Sequence, residues 1–301
     1  MFGVTILGNN SALPAYNRHP TAQVITLNNH LFLVDCGEGT QMQMSLYKIK
    51  RSRIHHIFIS HLHGDHYFGL PGLLTSYGLM SRTQELHLYA PSALKEILDF
   101  ILNVSATTLP YELIFHPLEN SSLLIDENDF SVESFEVFHR IDCWGFLFRE
   151  KRKLRKINAD VTAAYNIPVD SFERLKNGED FIQNDGTIVP NNVLTIANKP
   201  SRAYAFAADT IYNENVAAIV KHADVLYHEA TYLKEKTDKA ASRFHSTSEQ
   251  AARIAKLAHV KKLLIGHFSS TYEVLDDFLV EAKEIFPNTQ LALEGQTFII
   301  N

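Results

Sequence analysis

The chain has 301 residues, 46% of them hydrophobic, enough for a sizeable core in one large domain or two small ones. It contains no apolar run of about 18 residues, which speaks against a membrane span, and only two distant cysteines, Cys36 and Cys143, which exclude a disulfide scaffold and point to a reduced, cytoplasmic setting. Its formal net charge of −6 speaks against a general polyanion binder, so any nucleic-acid contact must be a local basic patch.

Residues 4–7 read as a first strand, and no basic start or cleavable apolar stretch precedes them, so no signal peptide is expected. Strands at 22–27 and 31–35 flank Asn28-Asn29, a pair suited to a two-residue hairpin turn with positive φ. A helix at 40–47, a buried strand at 54–60, a helix at 70–81, a strand at 85–90 and a helix at 93–103 follow. Residues 131–139 alternate apolar and polar side chains as a strand does, and 144–148 read as another. The segment 150–200 is polar, opens on a dense charge run and contains Pro168, Pro190 and Pro200; it reads as an inserted arm with some helix, within a single domain spanning 1–301. Strands at 203–207, 225–228 and 262–266 then alternate with helices at 213–220, 248–258 and 274–285, and strands at 290–293 and 297–300 close the chain. Many strands in both halves with helices between them predict an α/β fold of two packed β-sheets flanked by helices.

The densest chemistry lies in Ser60-His61-Leu62-His63-Gly64-Asp65-His66, where three histidines and an aspartate fall within six residues directly after the apolar run 57–59. Neutral imidazole and carboxylate are ligands that Zn²⁺ prefers. Other apolar strands also end in chemically capable residues: 137–138 leads to His139, 204–208 to Asp209, 225–227 to His228-Glu229, and 263–266 to His267. Any one of these alone reads more simply as a structural histidine or a turn aspartate; strand ends converging on one sheet edge build a site. A hydrolytic two-metal centre needs ions about 3.5–4 Å apart with a bridging carboxylate and a bridging water. His61, His63 and His139 can hold one ion, Asp65, His66 and His267 the other, and Asp209 can bridge them. The bridging hydroxide would be the nucleophile, with Asp65 near enough to orient it or accept its proton. Five histidines favour Zn²⁺, two per chain, although the carboxylates also admit Mn²⁺ or Fe²⁺.

At this point the chain resembles the metallo-β-lactamase-fold hydrolases, an αββα sandwich, and within them the ribonuclease Z (tRNase Z) family. The resemblance covers nearly the whole chain: Leu7-Gly8 with Ser11-Ala12-Leu13-Pro14, Asp35-Cys36-Gly37-Glu38-Gly39-Thr40-Gln41, the metal motif with Gly69-Leu70-Pro71-Gly72, Ala208-Asp209-Thr210, His228-Glu229-Ala230-Thr231 and His245-Ser246-Thr247. The metal motif is common to the superfamily; the last two motifs mark the nuclease. The resemblance implies a zinc-dependent endoribonuclease that removes the 3′ trailer from precursor tRNA and leaves a 3′-hydroxyl, working as a cytoplasmic homodimer. Cutting a phosphodiester requires protonation of the departing 3′ oxygen, and His245 is the candidate acid with Glu229 orienting it. Alternatively Glu229 is a helix-end carboxylate and Ser246 to Glu249 a capping box, with Ser246 or Thr247 at the cap.

The resemblance also implies that the arm grips the tRNA body. Arg149, Lys151, Arg152, Lys153, Arg155 and Lys156 oppose a single Glu150 over eight residues, a run that reads otherwise as a solvated face. A second basic cluster, Lys48, Lys50, Arg51 and Arg53, could meet the acceptor stem. The arm keeps Leu175-Lys176-Asn177-Gly178 but has Pro168-Val169-Asp170-Ser171 where the family often has a Gly-Pro pair. Two rival readings remain at this level. Another hydrolase of the same fold, a small-molecule phosphodiesterase or a lactonase, would share the first motif but need neither the basic arm nor the His245–Glu229 pair. A metal-free RNA-binding subunit would be expected to have lost ligands.

Overall fold

Strands buried on both faces must be largely apolar on both faces, and two central strands of the first half show it. In His30–Val34, Leu31 and Leu33 enter a cluster with Met44, Leu73 and Tyr77, while Phe32 meets Phe148 at 5.4 Å between ring centres on the other face. In Ile54–Phe58, Ile57 joins the first cluster and Phe58 packs 5.1 Å from Phe146. The computed structural model describes residues 1–151 and 153–301, so Arg152 of the basic run lies outside the described residues. One seven-stranded sheet runs in the order Thr297–Ile299, Phe2–Gly8, Ala22–Leu27, His30–Val34, Ile54–Phe58, Leu86–Pro91, Leu113–Leu118. The other runs Thr289–Leu291, Lys262–Gly266, Val225–Glu229, Ala203–Ala207, Cys143–Glu150, Phe130–Val137, Leu123–Asp126.

The aromatic pairs, and the hydrogen bond from the Tyr204 hydroxyl to Gln23 Oε1, join the two sheets face to face. Helices Thr40–Leu46, Leu70–Leu79 and Ala93–Val104 cover the outer face of the first sheet through Met44, Leu70, Leu73, Leu74, Leu94 and Leu98. Ser248–Leu257 packs on strands Val225–Glu229 and Lys262–Gly266 and on helix Asp276–Ile285. This is the expected helix–sheet–sheet–helix order.

Two compact units make up the chain: Met1–Ile125, Val132–Phe148 and Ala203–Asn301 form one, Asp126–Ser131 and Arg149–Arg202 the other. The second unit has a small core of Ile167, Leu175, Val189 and Leu194 beneath helices Ala159–Ala164 and Phe172–Asn177 and a short hairpin, Phe181–Ile182 with Ile188–Val189. The Pro168–Ser171 stretch becomes a single 3₁₀ turn, Val169–Ser171, leading into Phe172–Asn177, and Gly178 ends that helix in the left-handed conformation at φ 101°.

The hairpin forms with Leu27 opposite His30 and Asn28 at φ 55°. Several elements differ from sequence expectation. The edge strand Leu113–Leu118 carries Pro117, which an edge tolerates and a central strand does not. A four-residue helix, Gly64–Tyr67, lies inside the metal motif. The cap of Ser248–Leu257 is Thr247, whose box partner is Gln250; the Ser246–Glu249 pairing does not form, because the Ser246 hydroxyl donates to the Thr210 carbonyl at 2.7 Å and its N–H to Glu229. Among the described residues no helix is long and apolar enough to cross a membrane.

The loop after strand His30–Val34 lies against the turn that opens Leu70–Leu79. A Cβ on Gly69 would fall 2.2 Å from the Gly37 carbonyl oxygen and 3.0 Å from that of Cys36. Gly69→Ala is therefore expected to lower stability by about 1–3 kcal/mol, as overpacking does, read as a lower urea midpoint at unchanged slope.

Candidate metal centre

Three neighbouring parallel strands deliver their C-terminal ends together. Ala207 pairs with His228, and Glu229 with Gly266, so the residues that follow, Asp209, Glu229 itself and His267, arrive at one edge. Ile54–Phe58 and Phe130–Val137 add His61 and His139 to the same edge. The seven candidate ligands form two groups whose donor atoms lie within 4.8 Å of one another: His61, His63, His139 and Asp209, and Asp65, His66 and His267. Asp209 reaches both. Its Oδ2 is 3.6 Å from His61 Nε2 and 3.5 Å from His66 Nε2, and its Oδ1 is 3.2 Å from His267 Nε2.

The donor set fits a cation. His139 Nδ1 faces the Phe244 carbonyl at 2.8 Å and His66 Nδ1 faces Asp35 at 2.8 Å, so both donate outward and their Nε2 lone pairs point inward. His267 Nδ1 is held by Thr231 Oγ1 at 2.9 Å. The inward nitrogens crowd each other, with His139 Nε2 3.1 Å from His63 Nδ1 and His66 Nε2 3.3 Å from His267 Nε2. Burial, reinforced by the neighbouring imidazoles, pushes His63 down to about 4 and His61 well below its usual value, which favours the neutral, ligating form. Burial opposes charge on His66 as well, but Asp209, Asp65 and Asp35 around it outweigh that and raise it well above its usual value. The buried Asp35 and Asp209 and the half-buried Asp65 thus call for positive charge at this point, which a divalent ion would supply with His66 neutral.

Beside these groups, His245 Nδ1 lies 2.8 Å from Glu229 Oε1 and 3.9 Å from Asp209 Oδ2. Burial by itself would lower His245, but the Glu229 carboxylate outweighs it and pushes the imidazole up to about 9, so it carries a proton at neutral pH. Glu229 is fully buried; burial favours its neutral form, and the His245 charge and hydrogen bond overcome this and keep it ionised. Its oxygens also accept from the N–H groups of Thr210, Ser246 and Thr231 and from the Thr231 hydroxyl. Glu229 is therefore no helix-end carboxylate: it ends a strand, beneath His245.

Residues that sequence reasoning left without a role complete the cluster. Asp35 accepts from the Ser60 N–H at 2.8 Å and from His66, and holds φ 56°. It follows an apolar strand as the other site residues do, and that signal could have singled it out. Ala12, also left-handed at φ 66°, donates its N–H to Asp65 Oδ2 at 2.7 Å, a backbone interaction with no side-chain signature. Non-glycine residues at positive φ store strain that a site must hold in place. His63, Asp65, Asp209, His245 and Arg140 line a cleft of about 340 Å³ over the cluster.

The basic run of the second unit is partly engaged within that unit. Lys151 pairs with Asp126 at 2.6 Å, and Arg155 donates to Thr195 Oγ1 at 2.5 Å, while Lys153 and Lys156 are exposed. Arg149 belongs to the same unit. Lys48, Lys50, Arg51 and Arg53 lie in the first unit around the 3₁₀ turn Arg51–Arg53.

Among curated relatives, a ribonuclease Z of Bacteroides thetaiotaomicron is 44% identical over 100% of this chain and 96% of its own. This chain belongs to the ribonuclease Z family. The crystal structure of the short form of human tRNase Z matches with a TM-score of 0.72 at 28% identity, covering 99% of each chain. The metallo-β-lactamase fold protein YhfI from Bacillus subtilis matches with a TM-score of 0.69 at 19% identity over 99% of this chain and 98% of its own, a likeness of fold. The sequence model described as anti-Pycsar protein Apyc1 matches residues 2–151. The family carries the metallo-β-lactamase fold, and the His/Asp groups here could hold a metal ion.

Because Asp35 fixes the tautomer and orientation of His66, Asp35→Ala is expected to weaken divalent-metal binding about 10- to 100-fold. Competition with a chromogenic chelator measures this.

Proposed function

We propose that the protein is an endoribonuclease that removes the 3′ trailer of precursor tRNA by hydrolysis, using two Zn²⁺ ions per chain, in the cytoplasm and as a homodimer. The observation that carries the reading is the buried Glu229 carboxylate 2.8 Å from the half-buried His245, beside the two ligand groups in a ribonuclease Z chain. A hydrolase acting on small activated substrates has no need of a held acid; an RNA alkoxide leaving group does. His61, His63 and His139 would hold one ion, Asp65, His66 and His267 the other, with Asp209 between them. When bound, such ions acidify water and neutralise charge developing on the phosphoryl oxygens. The chain's own residues do the rest. Asp65, fixed by the Ala12 N–H, orients the attacking water. As the bond from phosphorus to O3′ breaks, His245 gives its proton to that oxygen, and Glu229 stabilises the ring in the required orientation. The products are a 3′-hydroxyl on the tRNA and a 5′-phosphate on the trailer. Mn²⁺ or Fe²⁺ would fit the carboxylates as well as Zn²⁺. Two buried, unpaired cysteines, Cys36 and Cys143, support a reducing compartment.

A labelled precursor tRNA with a defined trailer tests the activity, and a protein that leaves it intact with metal supplied would refute the reading. His245→Ala is expected to keep about two ions per chain by metal analysis and to lose roughly 10²- to 10⁴-fold in cleavage rate. Glu229→Gln should lose less. Wild-type single-turnover rates in His245→Ala would assign the histidine to structure.

The second unit is proposed to grip the tRNA body through phosphates. Of the basic run, Lys153 and Lys156 are exposed, whereas Lys151 and Arg155 have partners inside the unit. Lys153→Gln with Lys156→Gln should weaken precursor binding and flatten the log–log salt slope by about 0.7 to 0.9 for each phosphate no longer neutralised. Unchanged affinity and slope would make the run an ordinary solvated face.

A further inference from the structure

Beside the metal cleft lies a second, larger cavity of about 830 Å³. Its floor includes Leu62 and the buried Trp144, and its rim carries Phe138 and Ile141, which are 57% and 40% exposed. Among the described residues Arg140 is the one cation lining this cavity, and it lines the metal cleft too, with a guanidinium nitrogen 3.5 Å from His63 Nε2. The rim is built, not loose. The Phe138 N–H donates to Thr210 Oγ1 and its carbonyl accepts from the Ile211 N–H, so it is pinned to the loop that follows Asp209.

Single-stranded nucleic acid is bound by aromatic faces that stack bases and by cations that hold phosphates. The cavity offers one of each, in continuity with the reaction site. Glu119, Glu136 and Asp142 also line it. These carboxylates disfavour a second phosphate but accept N–H groups from base edges, as they do from cytosine N4. The occupant is therefore one base with one adjoining phosphate, not a length of backbone. Its side of the cut follows from the acid. His245 must touch the O3′ that leaves, and its ring lies 5.1 Å from that of His139, while its neighbour Phe244 lies 6.0 Å from Phe138.

We propose that this cavity receives the nucleotide on the 5′ side of the scissile bond, with Phe138 stacking on its base and Arg140 holding its phosphate. The inference rests on the endoribonuclease reading. Its test is a double-mutant cycle between the protein and a precursor tRNA made abasic at that nucleotide. Phe138→Ala and the abasic substrate are each expected to lower kcat/KM about tenfold, and together no further than either alone. Additive losses would overturn the assignment of Phe138. Non-additivity with a nucleotide made abasic on the 3′ side instead would overturn the side of the cut. Arg140→Gln is expected to raise KM and to reduce its log–log salt slope by about 0.7, as for one single-strand phosphate; an unchanged slope would overturn the assignment of Arg140. If the wild-type protein fails to cut the intact precursor, the nuclease reading falls and this inference with it, an outcome distinct from an additive cycle in an active enzyme.

Discussion

Everything at the sheet edge depends on burying carboxylates together with imidazoles whose outward nitrogens are already committed. Asp35, Asp209 and Glu229 are almost wholly buried, a costly place for negative charge unless it is matched. His245 supplies the match over Glu229, while His66 lies between Asp35 and Asp209 and, as a neutral ring, leaves their charge to be matched by a cation. Because the Phe244 carbonyl and Asp35 take the outer N–H groups of His139 and His66, the inner lone pairs cannot turn away. The cluster is thus complete as an arrangement of donors and incomplete as an arrangement of charge, which is the condition of a site organised around cations.

The same arrangement explains how acid and ligands coexist. Thr231 Oγ1 lies 2.8 Å from Glu229, 2.9 Å from His267 Nδ1 and 3.3 Å from His245 Nδ1. A single hydroxyl therefore sits between a candidate metal ligand and the candidate acid's carboxylate. Thr231 thus holds Glu229 and His267 in one hydrogen-bonded group, so His245 is positioned by the same residues that orient a candidate ligand.

The sequence is legible where a side chain's placement follows from period and chain order. An apolar strand that stops at a polar residue gives His61, His139, Asp209 and His267; Asp209 and His267 arrive together because parallel strands of one sheet end together, and His61 reaches the same edge from the facing sheet. Asp35 obeys the same rule after His30–Val34, but its partnership with His66 needs a left-handed backbone that residue type alone does not announce. Ala12 acts through its N–H, so no side chain could mark it. The edge strands Leu113–Leu118 and Leu123–Asp126 escape because their pattern is short and broken by Pro117 or charge. The cap at Thr247 in place of Ser246 turns on competition for one hydroxyl, which only the folded neighbourhood decides.

The two halves of the site also carry different information. The match to the anti-Pycsar model spans residues 2–151, and so contains Asp35, His61, His63, Asp65, His66 and His139. It stops before Asp209, Glu229, His245 and His267. The first half therefore holds what several chemistries on this fold can share: a strand end crowded with imidazoles. Asp209, Glu229 and His267, by contrast, come from the three parallel strands beyond residue 202, and His245 from the loop before helix Ser248–Leu257. Those strands stand in register, Ala207 with His228 and Glu229 with Gly266. A one-residue slip would reverse which face Glu229 presents, separating the carboxylate from His245 while leaving the first-half cluster whole. Strand register in the second sheet, and not the histidine motif alone, is what sets the Glu229 carboxylate beneath His245 at this edge.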